Sequence, residues 1–175
     1  NDAAMTFRGT LANLNNALDG LSFLPTLHFA GAASLAITTA DLGNFGAGGN
    51  LTDSDTVAIP VTAVNDAPVN TVPGAQTTPE DVARVFSTAN GNLISIADVD
   101  DADAVPSAAL GDELVQVTLT ATTGVLTLSG IGGLDFGFSD GNGVGAGDGT
   151  SDAAMTFRGT LTDVNAALDG LSFLS

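Results

Sequence analysis

The residues best suited to chemistry are aspartates that cluster in the middle of the chain. Residues 94–103 read ISIADVDDAD, so four aspartates fall within six positions: Asp98, Asp100, Asp101 and Asp103. Calcium binds six to eight oxygen atoms, which carboxylates, amide and backbone carbonyls and water supply. If the segment is extended, the first two aspartates share one face and the last two share the other. The cluster therefore predicts a calcium site, and the alternative is a solvated acidic turn.

An Asn-Asp pair lies in a hinge, residues 64–68, where one predicted strand stops and another begins. Residues 61–69 read VTAVNDAPV, in which Asn65 and Asp66 come just before Pro68. Asn and Asp side chains either form a turn with their own backbone or offer oxygen ligands to a cation. On the residues alone, the pair is therefore either an Asx turn or a set of calcium ligands.

The glycine-rich loop at 135–152 contains further oxygen-bearing side chains, namely Asp140, Asn142 and Asp148. It lacks the glycine and glutamate positions of an EF-hand, so a flexible loop is the simpler interpretation and calcium binding the alternative. Arg158 follows the sequence MTF in a predicted strand, and so does its counterpart Arg8. We expect each arginine to pair with a local carboxylate.

Composition limits the partners that such a chain can have. Three arginines and no lysine face 20 acids, of which 18 are Asp, and the formal net charge is −17. This charge argues against nucleic acid or an anionic membrane surface as a partner. A hydrophobic fraction of 44% argues against a disordered acidic tail. Self-repulsion of this size destabilises a compact state unless cations offset it, which again favours calcium.

Nothing in the sequence supports catalysis. The chain has no cysteine, and its one histidine, His28, sits among apolar neighbours as expected of a packed or turn residue. Zinc sites and thiolate chemistry are therefore excluded, and no nucleophile motif surrounds a serine. No run of 18 apolar residues predicts membrane insertion. We interpret the chain as a non-enzymatic protein.

The two ends of the chain repeat each other. Residues 1–25 align with residues 151–175 with six mismatches, and DAAMTFRGTL recurs unchanged from position 2 at position 152. An offset of 150 residues at this identity is typical of a tandem array. We therefore expect residues 1–66 to be the C-terminal half of one module and residues 67–175 to be the N-terminal part of the next, whose remainder would copy residues 26–66.

Short alternating segments predict an all-β fold. The predicted strands are MTFRG (5–9 and 155–159) and residues 34–40, 56–64, 83–88, 93–98, 114–121 and 124–129. Pro60 inside one of them indicates an edge position or a bulge. Leucines at helical spacing, followed by a glycine, predict a short helix within 10–20 and its copy within 160–170. Many short strands with one helical crossover favour a β-sandwich.

These motifs together resemble the cadherin-like tandem repeats of giant bacterial surface proteins and RTX-type adhesins. The resemblance rests on DSDTVAIPVTAVNDAPV (53–69), PED (79–81) and ISIADVDDAD (94–103). It implies an extracellular immunoglobulin-like or cadherin-like sandwich with calcium at the module junctions. The positions that match the family's ligands are Asn65, Asp66, Glu80, Asp98 and Asp100. Asp81, Asp101 and Asp103 complete the candidate set.

The resemblance implies a structural role. Such modules are spacers that hold an adhesive domain away from the cell, so we expect a secreted or bacterial cell-surface protein whose partners are neighbouring modules. One alternative is a filament in which residues 1–66 of one chain complete the sandwich opened by residues 67–175 of an identical chain. The other is a module that binds a glycan or protein, which the absence of Trp and Tyr disfavours.

Overall fold

The computed structural model describes residues 2–43, 46–102 and 114–175. Strands dominate, and the helices are two short α-helices and one 3-10 turn in the described residues, so the predicted all-β class is confirmed. The chain divides into two units, Asn1–Thr62 (unit 1) and Ala63–Ser175 (unit 2). The division falls a few residues before the boundary expected at 66.

Unit 1 contains a helix and a β-hairpin. Helix α1 spans Leu11–Leu18, and strands β1 (Gly31–Ala40) and β2 (Thr52–Val61) pair along their whole length in antiparallel register. Pro60 lies opposite Ala32 in this two-stranded sheet. Since β1 is the only described partner of β2, Pro60 occupies an edge strand, as predicted.

Unit 2 holds the other elements. They are β3 (Val69–Thr71), β4 (Arg84–Phe86), β5 (Ser95–Ala97), a 3-10 turn (Asp100–Ala102), β6 (Leu114–Thr120), β7 (Val125–Thr127), β8 (Ser139–Asp140), β9 (Gly143–Val144), β10 (Ala154–Thr160), α2 (Leu161–Leu168) and β11 (Leu171–Leu174). Strand β10 pairs with β6, β3 with β5, and β8 with β9, while β11 lies between β4 and β7. All these described pairings are antiparallel.

The two α-helices form from the same local signals. Each begins after a threonine, Thr10 or Thr160, whose hydroxyl accepts a hydrogen bond from the backbone N–H three residues later, at 3.4 and 3.1 Å. Each is closed by a glycine with positive φ, +85° at Gly20 and +110° at Gly170. Both predicted helices are therefore confirmed, and their caps depend on sequence rather than on packing.

The hydrophobic core lies in unit 2. Strand β10, helix α2 and strand β11 supply its most deeply buried side chains, which are Met155, Phe157, Val164, Leu168 and Leu171. In the described part of unit 1, by contrast, no residue is buried. Unit 1 therefore has secondary structure without a core of its own.

The repeated sequence has different structures in its two copies. Residues 154–160 form β10, because β6 pairs with them and places Val117 opposite Phe157. Residues 5–9 carry the same sequence and are all described, yet they form no strand, so that prediction is wrong for the first copy. A strand needs a partner for its backbone hydrogen bonds, and the described part of unit 1 offers none to residues 5–9.

Candidate metal centre

The hinge and the aspartate cluster are brought together by strands β3 and β5. Strand β3 begins directly after Pro68 and pairs with β5 so that Val69 lies opposite Ala97. The residues just before β3 therefore lie beside those just after β5. The backbone N–H of Asp66 donates a hydrogen bond to Asp100 Oδ2 at 2.6 Å.

The aspartate cluster is a tight turn. Asp98 Oδ1 accepts a hydrogen bond from the backbone N–H of Asp100 at 3.1 Å, and a 3-10 turn then runs through Asp100–Ala102. The extended conformation considered for this segment is therefore wrong, because the Asp98 carboxylate turns the chain by capping a backbone N–H two residues later. Asp101 is nearly buried, with 8% of its surface exposed.

The other predicted ligands are more scattered. The Asn65 side-chain amide donates to the carbonyl of Asp66 at 3.1 Å, which is local turn chemistry. Glu80 and Asp81 lie in the turn that precedes β4, where Asp81 has a φ of +61°. Asp103 lies outside the described residues. In the part of the chain that is described, no three His, Cys, Asp or Glu side chains are grouped closely enough to hold a metal ion.

The donor chemistry at the hinge nevertheless suits calcium. The available donors are oxygen atoms only, and a carboxylate that accepts one N–H keeps further lone-pair positions for a cation. Two of the predicted ligands, Asp66 and Asp100, meet here. Their contact runs through a backbone N–H and a single carboxylate, so calcium would draw its remaining ligands from backbone carbonyls and water.

Within the described ranges, the Asx turn at Asp98 is one of five with the same geometry. In each, an Asp side chain accepts a hydrogen bond at 2.8–3.1 Å from the backbone N–H two residues later; the pairs are Asp41–Gly43, Asp98–Asp100, Asp135–Gly137, Asp140–Asn142 and Asp148–Thr150. Glutamate is one methylene too long for this turn, which is one reason why Asp outnumbers Glu in the chain. The N–H groups of Gly43 and Leu51 lower the pKa of Asp41.

An ion pair in unit 2 joins Arg158 to Asp140. The guanidinium donates to both carboxylate oxygens, at 2.5 and 3.0 Å, and it also donates to Gln116 Oε1. It stacks on the Phe138 ring at 3.8 Å from the ring centre. Pairing with a local carboxylate is thus confirmed for Arg158, whereas no described residue forms an ion pair with Arg8. No sequence pattern points to Gln116 and Phe138, because strand register and the β8–β9 turn bring them to the arginine.

This ion pair predicts an acid-sensitive contribution to stability. The Arg158 hydrogen bond, with help from the Asn142 N–H, lowers the pKa of Asp140 from 3.8 to about 2. A carboxylate whose pKa is depressed on folding stabilises the protein above its unfolded pKa and loses that contribution as the pH falls. We expect Asp140→Asn to lower the melting temperature by a few degrees at neutral pH. The difference from the parent should shrink between about pH 4 and pH 2.

The matched control for this prediction is the arginine in the first copy. Arg158→Gln should reproduce the pH-dependent loss, and Arg8→Gln should melt like the parent protein throughout. Circular dichroism melts across this pH range measure all three variants. A difference between Asp140→Asn and the parent that persists unchanged at pH 2 would show that the ion pair is not its source.

Comparison of the chain with protein-family models, with curated proteins and with solved structures gave no match. Among the described residues, neither helix has the length and apolar character needed to cross a membrane.

Proposed function

We propose that the chain is a structural spacer from a tandem-repeat protein, made of immunoglobulin-like or cadherin-like sandwich modules and stiffened by calcium at its junctions. The protein is non-enzymatic and is secreted or held on a bacterial surface, and its partners are modules of the same kind. Support comes from the repeat, because 19 of 25 aligned positions are identical at an offset of 150 residues.

The observation that carries this proposal is the attachment of the hinge to unit 2. The chain leaves β2 at Val61 and reaches β3 at Val69, and between them the Asp66 N–H is bonded to the Asp100 carboxylate. Strand β3 then pairs with β5. A pull on the linker is therefore resisted by the β3–β5 hydrogen bonds and by the contact between Asp66 and Asp100, as a spacer under load requires.

Calcium would strengthen this attachment. The hinge and the turn after β5 present Asp66, Asp98, Asp100 and Asp101 in a chain of net charge −17. A cation that binds only the folded state stabilises it by about 1.4 kcal/mol at a tenfold excess over its dissociation constant. Bound between the two segments, calcium would also replace carboxylate repulsion with attraction.

Small-angle scattering from a chain of two complete repeats tests the spacer role. We expect calcium to give a narrow, extended distance distribution and chelator to give a broader one, because the junction loses a cross-link without the ion. Asp100→Ala should broaden the distribution under both conditions, since it removes the acceptor of the Asp66 N–H. Thermal melts of the same samples verify that the modules remain folded.

Asp66→Ala separates the contribution that calcium makes to the stiffness of the junction from the contribution of the hydrogen bond between Asp66 and Asp100. It retains the backbone N–H that Asp100 accepts but removes a carboxylate. If that carboxylate is a calcium ligand, the variant should match the parent in chelator and lose only the calcium response. Equally narrow distributions for the parent and both variants, with and without calcium, would mean that Pro68 alone fixes the joint and that the acids serve only as turns.

A further inference from the structure

The hairpin of unit 1 has an apolar face that unit 1 does not cover. The β1–β2 register places Leu35 opposite Val57 and Ala33 opposite Ile59, so these residues and Ile37 share one face. Asp55 lies opposite Ile37, at the end of this face nearer the turn. Leu35, Ile37 and Val57 are 38%, 40% and 54% exposed. Because a lone two-stranded hairpin is marginally stable in water, this face requires a partner surface.

The segment before the hairpin is a second copy of a piece of the core. Residues 2–24 repeat 152–174, and both copies have the same capped helix. In unit 2, Met155 is fully buried, whereas its counterpart Met5 is 57% exposed. In unit 2, β6 pairs with β10, β4 and β7 pair with β11, and β5 contacts helix α2 of the second copy. Unit 2 is therefore already shaped to receive residues 2–24.

Unit 2 also has an open apolar groove beside this segment. A cavity of about 340 Å³ is lined chiefly by Phe86, Ile94, Leu119, Leu126, Leu171 and Phe173. Two of these side chains belong to β11, the last strand of the repeated segment. The groove is therefore continuous with the surface against which the segment packs.

We propose that residues 2–24 of one chain take the place of residues 152–174 in unit 2 of a second copy, and that the attached hairpin then covers the groove. Six residues separate Leu24 from Gly31, where β1 begins. They can span up to about 20 Å, so the hairpin remains within reach of the end of β11. The occupant is a second copy of this chain, because this chain supplies both the matching segment and the hairpin.

The exchange conserves most contacts and adds new ones. Only four aligned positions differ within the exchanged segment, and two of them, 162 and 166, are exposed in unit 2. Leu14 would replace the buried Val164 and add one methylene, and Asn13 would replace Asp163, whose carboxylate accepts from the Thr160 hydroxyl. The displaced residues 152–174 become as exposed as residues 2–24 were. The net gain is therefore burial of the hairpin face.

Exchange of this kind can add one chain after another without a fixed number of subunits. The donor surface lies in unit 1 and the acceptor surface in unit 2, so each chain uses two different surfaces. Such heterologous contacts produce open chains unless the rotation happens to close a ring. The carboxylates at the hinge take no part, so assembly requires no calcium and is testable in chelator.

A reducible disulfide between β6 and β10 provides the test. Thr118 and Thr156 lie directly opposite each other on β6 and β10, with hydroxyl oxygens 3.0 Å apart, and the chain has no cysteine. The double variant Thr118→Cys with Thr156→Cys places a disulfide across this pair and holds residues 152–174 in place. Samples in chelator are incubated just below their melting temperature, cooled and examined by analytical ultracentrifugation over a wide concentration range.

We expect the parent chain to form a concentration-dependent series of species larger than the monomer. The oxidised double variant should remain monomeric and should assemble once it is reduced. Phe7→Asp should remain monomeric with an unchanged melt of unit 2, because it alters only the donor. A parent that stays monomeric, a locked protein that assembles, or a Phe7→Asp variant that assembles like the parent would each overturn the exchange.

Discussion

Replacement of Phe157 by alanine is expected to lower the free energy of unfolding of unit 2 by about 3–5 kcal/mol. The Phe157 side chain has no exposed surface, and its ring lies 5.3 Å from the ring of Phe136. Its removal loses apolar burial and an aromatic contact and leaves a cavity in the hydrophobic core. A domain of this size has a total stability of about 5–15 kcal/mol, so the variant should be partly unfolded at modest urea concentrations.

The chain contains its own control for this substitution. Phe7 lies in the same decapeptide, but 47% of its surface is exposed. Phe7→Ala should therefore change the stability by less than about 0.5 kcal/mol. Urea unfolding followed by circular dichroism measures both variants, because the chain has no Trp or Tyr for fluorescence. Equal losses for the two variants would show that the first copy is packed as deeply as the second.

The helices could be predicted from the sequence because their signals are local. A threonine cap, leucines at helical spacing and a closing glycine lie within eleven residues, so both copies form the same helix in different surroundings. Local signals could not show whether residues 5–9 form a strand. The same residues pair at 154–160, and what differs is the presence of β6 as a partner. Whether a segment forms a strand depends on its partner strand as well, and the sequence of the segment alone does not specify that partner.

Among the other strands, the longer alternating segments could be predicted and the shortest strands could not. The predicted strands at 34–40, 114–121 and 124–129 are confirmed with small shifts at their ends, as β1, β6 and β7. Strand β11 was missed, because LSFL offers only four residues and forms a strand by fitting between β4 and β7. Strands β3, β8 and β9 are shorter still. A turn at residues 141–142 joins β8 to β9, whereas β3 forms by pairing with the distant strand β5.

The candidate site could be predicted in composition but not in geometry. Clustered aspartates next to predicted strands indicated oxygen-rich turns, and the structure places Asp66 against Asp100. The contact uses a backbone N–H, which no sequence pattern reveals. An extended segment would have placed pairs of carboxylates on one face, whereas the Asp98 side chain folds the segment into a turn. Whether calcium occupies this turn stays a prediction.

Asn165 has a structural role that the sequence did not reveal. Its side chain lies on helix α2 and forms two hydrogen bonds with the backbone of Ile96, accepting from the N–H at 2.8 Å and donating to the carbonyl at 2.8 Å. Ile96 is the central residue of β5, and β3 pairs with that strand. The Asn165 amide therefore forms the two backbone hydrogen bonds that a neighbouring strand would form with Ile96. It links α2 to β5, the strand that precedes the Asp98 turn.

Asn165→Ala is expected to lower the free energy of unfolding by about 2–4 kcal/mol, because it leaves a half-buried N–H and a half-buried carbonyl without partners at about 1–3 kcal/mol each. Asn15, the same residue in the exposed helix α1, provides the matched control, and Asn15→Ala should be close to neutral. Urea unfolding gives the global effect, and hydrogen exchange at the Ile96 amide gives the local one, since that N–H loses its acceptor. If the Ile96 amide exchanges as slowly in Asn165→Ala as in the parent, water or a neighbouring group has replaced the side chain, and the link between α2 and β5 does not depend on Asn165.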